Sequence, residues 1–309
     1  MSVVFTLFAI LRPKKKGLAG GTAAIRRLET TASVQADLAA RFANFADMWS
    51  DFEKVEFTPS YKPDDDEVFQ IDRFPVPASL KRAADYRAQF PEFDIHRLDA
   101  EDMSLKAIMA VRKDTISGET EFNFQITDRR HILDKSKWYP MVFMNSKYSA
   151  LEDHALTISD IVNVILKPDG KLLFRSFRDA SQVLELDGIY KEATDEDIRK
   201  ILKSPKVGNK PEEIEAIIQK VDDITRKRFS ILALEGVLSN PEVSVQRIIG
   251  NATNFEIDIQ LRGKVPDQKI VFPSDRESLR NFLKFLCHAY YESPITGDQY
   301  VSNSHRRIR

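Results

Sequence analysis

One cysteine in 309 residues, Cys287, excludes an intramolecular disulfide and points to a reducing intracellular setting. It sits in an apolar run, where the expected state is an inert buried thiol. Charge of either sign is not in excess: the formal net charge is -1, so no global field draws the chain to nucleic acid or anionic lipid. Any polyanion site must therefore be a local patch. Glycine is sparse, and the one cluster, GLAGG at 17–21, lacks the lysine and spacing of a phosphate-binding loop. Long hydrophobic runs are also missing. The opening MSVVFTLFAILRPKKKG has its charges behind the apolar stretch, opposite to a signal peptide, and is about half the ~20 residues that span a bilayer. It reads as a buried first strand ending in a basic turn, in a cytosolic protein with no direct membrane insertion.

What is present is an ordinary globular composition, 42% apolar and 30% charged, long enough for two domains. A helix is expected over about Ser33–Trp49, from Val34, Leu38, Phe42, Phe45 and Trp49 at helical spacing. VEFTPSYKPDDDEVFQIDRF reads as two strands around the acidic turn Asp64–Asp66. SLKAIMAVRKD and WYPMVFMNSKY read as strands. ETEFNFQITD places Phe122, Phe124 and Ile126 on one face of a half-buried strand.

The sharpest local signal is DIVNVILKPDGKLLFRSF, a hairpin in which Gly170 supplies positive φ. RDASQVLEL then turns helical, and Thr194 caps the helix ATDEDIRKIL. One long helix is expected from Pro211 to Leu234, with the stripe Ile214, Ile217, Ile218, Val221, Ile224 and Phe229 and a stop at Gly236. FEIDIQLRG and QKIVFP read as strands. SDRESLRNFLKFLCHAYYE reads as a last helix with a Ser274–Glu277 capping box and a buried face of Leu279, Phe282, Leu283, Leu286 and Tyr290. The expected fold is α+β, of mainly antiparallel hairpins with packed helices. A strand-rich domain over 1–150 and an α+β domain over 151–309 are expected.

Catalytic chemistry is thin. The five histidines are scattered without metal-ligand spacing, and one cysteine makes a zinc site improbable on motif grounds, so no cofactor and no metal are expected. A metal-dependent nuclease would need a carboxylate pair, and Glu256 and Asp258 share one face of FEIDIQLRG, with Asp267 and Lys269 downstream. A solvated strand face explains that alternation more simply, and an acidic turn such as Asp64–Asp66 is ordinarily just hydrated.

Basic clusters carry more. Lys14, Lys15 and Lys16, Arg129 and Arg130, Arg175 and Arg178, Arg226, Lys227 and Arg228, and Arg306 and Arg307 all fall at element ends or loops, from which they can reach a phosphate backbone. In the closing SPITGDQYVSNSHRRIR, Pro294 is expected to end the last helix and Gly297 to make a turn. Ile295 and Tyr300 are expected to dock on the core, leaving the terminal arginines anchored.

ISDIVNVILKPDGKLLFRSFRDASQVLEL, ATDEDIRKIL, FSILALEGVL and IVFPSDRESLRNFLKFL, with the closing I-T-x-x-x-Y-x-x-N-S pattern, resemble the Kiwa anti-phage defence protein KwaB family over about residues 105–309. The resemblance implies a fold similar to the phage exclusion protein RexA. It also implies a dimer that binds double-stranded DNA with little sequence preference and impedes phage DNA replication or late transcription. A KwaA-like membrane protein is the implied partner, through which the protein is recruited to the inner membrane. No residue-level DNA motif comes with the resemblance, so the twelve basic residues remain a reading of this chain alone. The competing readings are the Glu256–Asp258 nuclease and an adaptor of a membrane complex that binds no DNA.

Overall fold

The computed structural model describes residues 3–14, 23–85, 87–128, 131–133, 141–144, 147–151, 153–159, 161–302 and 304. Lys15, Lys16, Arg129, Arg130, Arg306 and Arg307 lie outside these residues. The chain divides into two compact units: Met1–Phe57 with Pro63–Glu185, and Thr58–Lys62 with Leu186–Arg309.

The first unit contains β1 (Val3–Pro13), β2 (Ala24–Arg27), α1 (Ala32–Ala46), β3 (Glu53–Glu56), β4 (Glu67–Ile71) and α2 (Ala78–Ala83). After a 3-10 turn at Ile95–Arg97 come β5 (Met103–Asp114), β6 (Thr120–Ile126), β7 (Ile132–Leu133), β8 (Met141–Met144), β9 (Lys147–Ala150), β10 (Ala155–Leu156), β11 (Val164–Leu166), β12 (Leu172–Phe174) and α3 (Phe177–Val183). Eight strands form one sheet in the order β2-β1-β5-β6-β11-β12-β4-β3. β1, the expected first strand, pairs antiparallel with β5 along its whole length.

Gly170 takes φ 81° in the turn between β11 and β12, as the PDG motif requires. That hairpin does not open the second unit: Val164 pairs with Phe124 of β6, drawing it into the middle of the sheet. The main division thus falls at Glu185/Leu186, whereas the expected domains met at 150/151. β3 and β4 flank the acidic turn as expected, but they pair in parallel rather than as a hairpin. The ten residues between them allow this because they include Thr58–Lys62, which leave to join the other unit.

Both faces of this sheet are covered. On one, Phe42 of α1 and Trp49 pack on Leu7, Ile108, Ile165 and Leu173. On the other, Phe177 of α3 lies 6.4 Å from Phe174, which lies 5.5 Å from Phe69. A central strand under two layers has no solvated face. Asn123 and Gln125, on the polar side of the expected half-buried strand, are accordingly buried. Gln125 is satisfied there: its Nε2 donates to the carbonyls of Ser159 (2.9 Å) and Ile161 (3.0 Å).

The second unit contains α4 (Asp195–Leu202), α5 (Pro211–Lys220), α6 (Asp223–Glu235), α7 (Val245–Asn254), β13 (Gln260–Arg262), β14 (Lys269–Val271), α8 (Arg276–Leu286), β15 (Tyr290–Glu292) and β16 (Gln299–Val301). Its core joins Ile198, Ile217, Phe229, Ile270, Phe272 and Phe282, with Phe272 lying between Phe229 (6.1 Å) and Phe282 (5.0 Å). Thr194 caps α4 in a full capping box with Asp197.

The single helix expected over 211–234 is two. Val221 and Asp222 are extended, and Asp222 starts α6 by accepting from the Thr225 amide at 2.9 Å. Asp competes with the helix for its own backbone and favours the cap, so the chain restarts there. The restart rephases the stripe and leaves Ile224 exposed.

The expected strand over FEIDIQLRG also shortens. Glu256 has φ 54°, and pairing begins only at Gln260. At the C-terminal end, α8 stops at Leu286, well before Pro294, and its N-cap is Asp275 rather than Ser274. Tyr290 and Tyr300 lie in the β15–β16 hairpin, where Gly297 turns at φ 74°. Ile295 is 93% exposed and Tyr300 43%, so neither docks on the core as expected. The segment is held instead by polar ties: Ser302 N to Ala289 O (2.7 Å), and Lys62 N to Ser304 Oγ (2.8 Å).

Candidate nucleic-acid interface

α8 is an amphipathic helix with its apolar residues Leu279, Phe282, Leu283 and Leu286 buried. Arg276, Arg280 and Lys284 follow one another at four-residue spacing, which stacks them along one helix face. α6 lies alongside, and its rephased surface contributes Ile224 and Arg228. Between them runs an open groove of about 580 Å³, lined by these five residues with Glu277 and Asn281.

Asp222, at the N-terminus of α6, organises the groove. Its Oδ2 accepts from both Arg276 and Arg280, while its Oδ1 accepts from Thr225. Burial pushes the Asp222 carboxyl up, but hydrogen bonds from Thr225, Arg276 and Arg280 outweigh it and hold the group far below the usual carboxylate range. Asp222 is thus an anion throughout the physiological range. It positions two guanidinium groups side by side while neutralising only part of their charge. Arg228 and Lys284 have no acidic partner among the described residues. Four cations face one lining carboxylate and the shared Asp222, so the groove is positive although the chain is not.

A smaller cavity of about 260 Å³ adjoins Arg228 and Ile224 and is lined by Lys227, Ile231, Ser302 and Cys287. Burial pushes the Cys287 thiol up to about 12, and Sγ donates to Arg228 O at 3.4 Å. It is a thiol at neutral pH, as its apolar neighbourhood led one to expect. A cavity of about 650 Å³ sets Lys191 and Lys200 against Asp187 and Asp197. That balance offers a polyanion no net attraction.

Of the sequence-derived basic residues, Arg228 belongs to the groove and Lys227 is exposed beside it. Arg226, from the same run, is committed elsewhere: it donates to Ala193 O (2.9 Å) and Asp195 Oδ1 (2.5 Å), tying α6 to the start of α4. Three others lie in the first unit. Lys14 is paired with Asp99. Arg175 donates to Asp64 O at 2.9 Å, reaches Asp65 at 3.4 Å, and so closes the acidic turn. Arg178 is exposed in the first turn of α3.

Arg276, Arg280 and Lys284 form no contiguous basic run and so were not among the expected contacts. The signal was there in RESLRNFLK, where the cations recur every fourth residue opposite the leucines.

The nuclease pair fares differently. With Glu256 at positive φ, it and Asp258 are not neighbours on one strand face. Among the described residues, three metal-ligating side chains converge only at His96, Asp153 and His154. Neither Glu256 and Asp258 nor the Asp64–Asp66 turn forms such a group.

A family model described as Kiwa protein KwaB-like matches residues 115–296, more than half of the chain. The chain belongs to that family. Membership associates it with Kiwa anti-phage defence, and the matched span includes both α6 and α8. No curated protein and no solved structure matches the chain. Among the described residues, no helix is long and apolar enough to cross a membrane.

Proposed function

We propose that this Kiwa KwaB-like protein is a non-enzymatic defence effector that grips double-stranded DNA through the α6–α8 groove. The carrying observation is the convergence of Arg228, Arg276, Arg280 and Lys284 on one open surface with Arg228 and Lys284 unneutralised. Arginine and lysine on an open surface of this kind can neutralise backbone phosphates, a sequence-indifferent mode of binding driven by counterion release. The groove is a surface feature of two helices, with no cleft that would enclose a reacting bond. Lys227, Arg178 and the basic residues at 15–16, 129–130 and 306–307 are the next contacts to examine.

The family reading adds a homodimer, which would present two grooves to one duplex, and a KwaA-like membrane partner that recruits the protein. Coverage of phage DNA by such a dimer would impede replication or late transcription.

The experiment is a titration of the full chain on several unrelated duplexes at two salt concentrations. Similar affinities that fall steeply with salt are expected. A strong preference for one duplex, or affinity indifferent to salt, would overturn the reading. Incubation with plasmid and Mg²⁺ or Mn²⁺ should leave the DNA intact.

A further inference from the structure

His96 and His154 are far apart in sequence and carry no recognisable ligand spacing, yet the first unit brings them together. His96 sits in the 3-10 turn Ile95–Arg97, where the Asp94 side chain accepts from its amide at 2.9 Å and fixes the turn. Asp153 and His154 immediately precede β10, which is held by pairing with β7. The imidazole of His96 meets that of His154 edge to face, with centroids 4.7 Å apart. Both rings address one carboxylate: His96 Nε2 lies 3.3 Å from Asp153 Oδ1, and His154 Nδ1 lies 3.5 Å from the same oxygen.

We propose that His96, Asp153 and His154 form a binding site for a divalent first-row transition ion, of which zinc is the best fit. Ligand atoms from all three residues lie within 4.8 Å of one another. A tetrahedral ion with bonds of about 2.0–2.2 Å holds its ligand atoms roughly 3.3–3.6 Å apart. Two of the three edges already have that spacing, and the third closes with small side-chain rotations.

The donor set selects the ion. Two imidazoles and a carboxylate suit zinc and its neighbours, whereas calcium and magnesium require oxygen-rich shells. The His154 amide donates to Asp153 Oδ1 at 2.7 Å, an outer contact that orients the carboxylate. Asp153 and His96 are largely solvent-exposed, so an ion can reach them directly.

Three protein ligands leave a coordination position free. His154 also lines a cavity of about 510 Å³ with Arg26, Glu92, Phe93 and Arg97, which could accommodate a further ligand. The ion would tie the 3-10 turn to the start of β10, two segments that no strand pairing joins. It thereby adds a cross-link to this edge of the first unit, independently of the DNA groove in the second.

The test uses the full chain freed of metal with a chelator. Titration with zinc chloride by calorimetry should show one saturable equivalent, and Co²⁺ should give a visible absorption band. Zinc should also raise the melting temperature. His96→Gln and Asp153→Asn alter exposed side chains and leave the fold intact; each should weaken zinc binding roughly 10-fold or more. Glu256→Gln, outside the cluster, should not. Absence of a saturable equivalent, or unchanged zinc affinity in both variants, would overturn the site. DNA binding by the metal-free protein should persist, so failure here leaves the DNA reading standing and the reverse is equally distinguishable.

Discussion

Arg262 grips Glu213 with two parallel hydrogen bonds, Nη2 to Oε1 at 2.8 Å and Nη1 to Oε2 at 3.0 Å, fastening β13 to the first turn of α5. The Arg262 guanidinium and the Lys210 amide hold the Glu213 carboxyl down to about 2. Because the folded value is depressed, the stabilisation is present above the unfolded value near 4.5 and is lost as pH falls toward 2. Glu213→Gln should cost roughly 1 kcal/mol at neutral pH, given the pair's partial exposure. Denaturation midpoints of wild type and variant should converge below about pH 3. A gap independent of pH would mean that the ion pair is not its source.

Charge reversal in the groove separates contact from bystander. Lys284→Glu and Arg228→Glu should each weaken duplex binding uniformly across sequences, and each should lower the salt slope by about one. Arg175→Gln removes the donor to the Asp64 carbonyl instead. It should destabilise the first unit by roughly 1 kcal/mol while leaving DNA affinity unchanged. Fluorescence anisotropy at several salt concentrations, beside thermal melts, measures both.

Asp222 gives a prediction of opposite sign. Asn also caps helices, so Asp222→Asn preserves the start of α6 but releases Arg276 and Arg280 from their shared anion. DNA should bind more tightly, and thermal stability should fall slightly. Weaker binding would show that Asp222 matters for guanidinium placement more than for charge.

The closing hairpin is held by polar ties and by Tyr290, which packs 5.9 Å from Phe255 and 6.5 Å from Phe285. Deletion from Ser293 onward removes β16 and should lower the melting temperature. Deletion from His305 onward should spare stability and weaken DNA binding. Ile295→Ser, at a position 93% exposed, should melt like wild type.

Cys287 should resist alkylation at pH 8 in the folded protein and react rapidly in denaturant. Its thiol is 1% exposed and pushed up to about 12, so thiolate is scarce until the helix unfolds. A mass spectrum before and after denaturation reads this directly.

Local chemistry was legible in the sequence wherever a residue's own backbone preference decided the outcome. Gly170, Gly236 and Gly297 all adopt positive φ, Thr194 caps α4, and the apolar faces of α5 and α8 are buried. Where two local preferences competed, the pattern misled. The stripe from Ile214 to Phe229 suggested one helix, but the capping chemistry of Asp222 broke it and turned Ile224 outward.

The sequence by itself determined the α+β class, most elements, the buried thiol and the resemblance that led to the Kiwa family. The class, the elements and the thiol follow from periodicity, caps and turns, which act over a few residues, whereas the resemblance rests on whole segments matching a known family. Tertiary structure alone decided which charges are free. Arg226, Arg175 and Lys14 are as basic in sequence as Arg228, but their carboxylate or carbonyl partners come from distant segments. Pairing across the sheet likewise buried Gln125 and set His96 beside His154. Electrostatic and ligand sites depend on distances between residues remote in the chain, and only the packed fold fixes those distances.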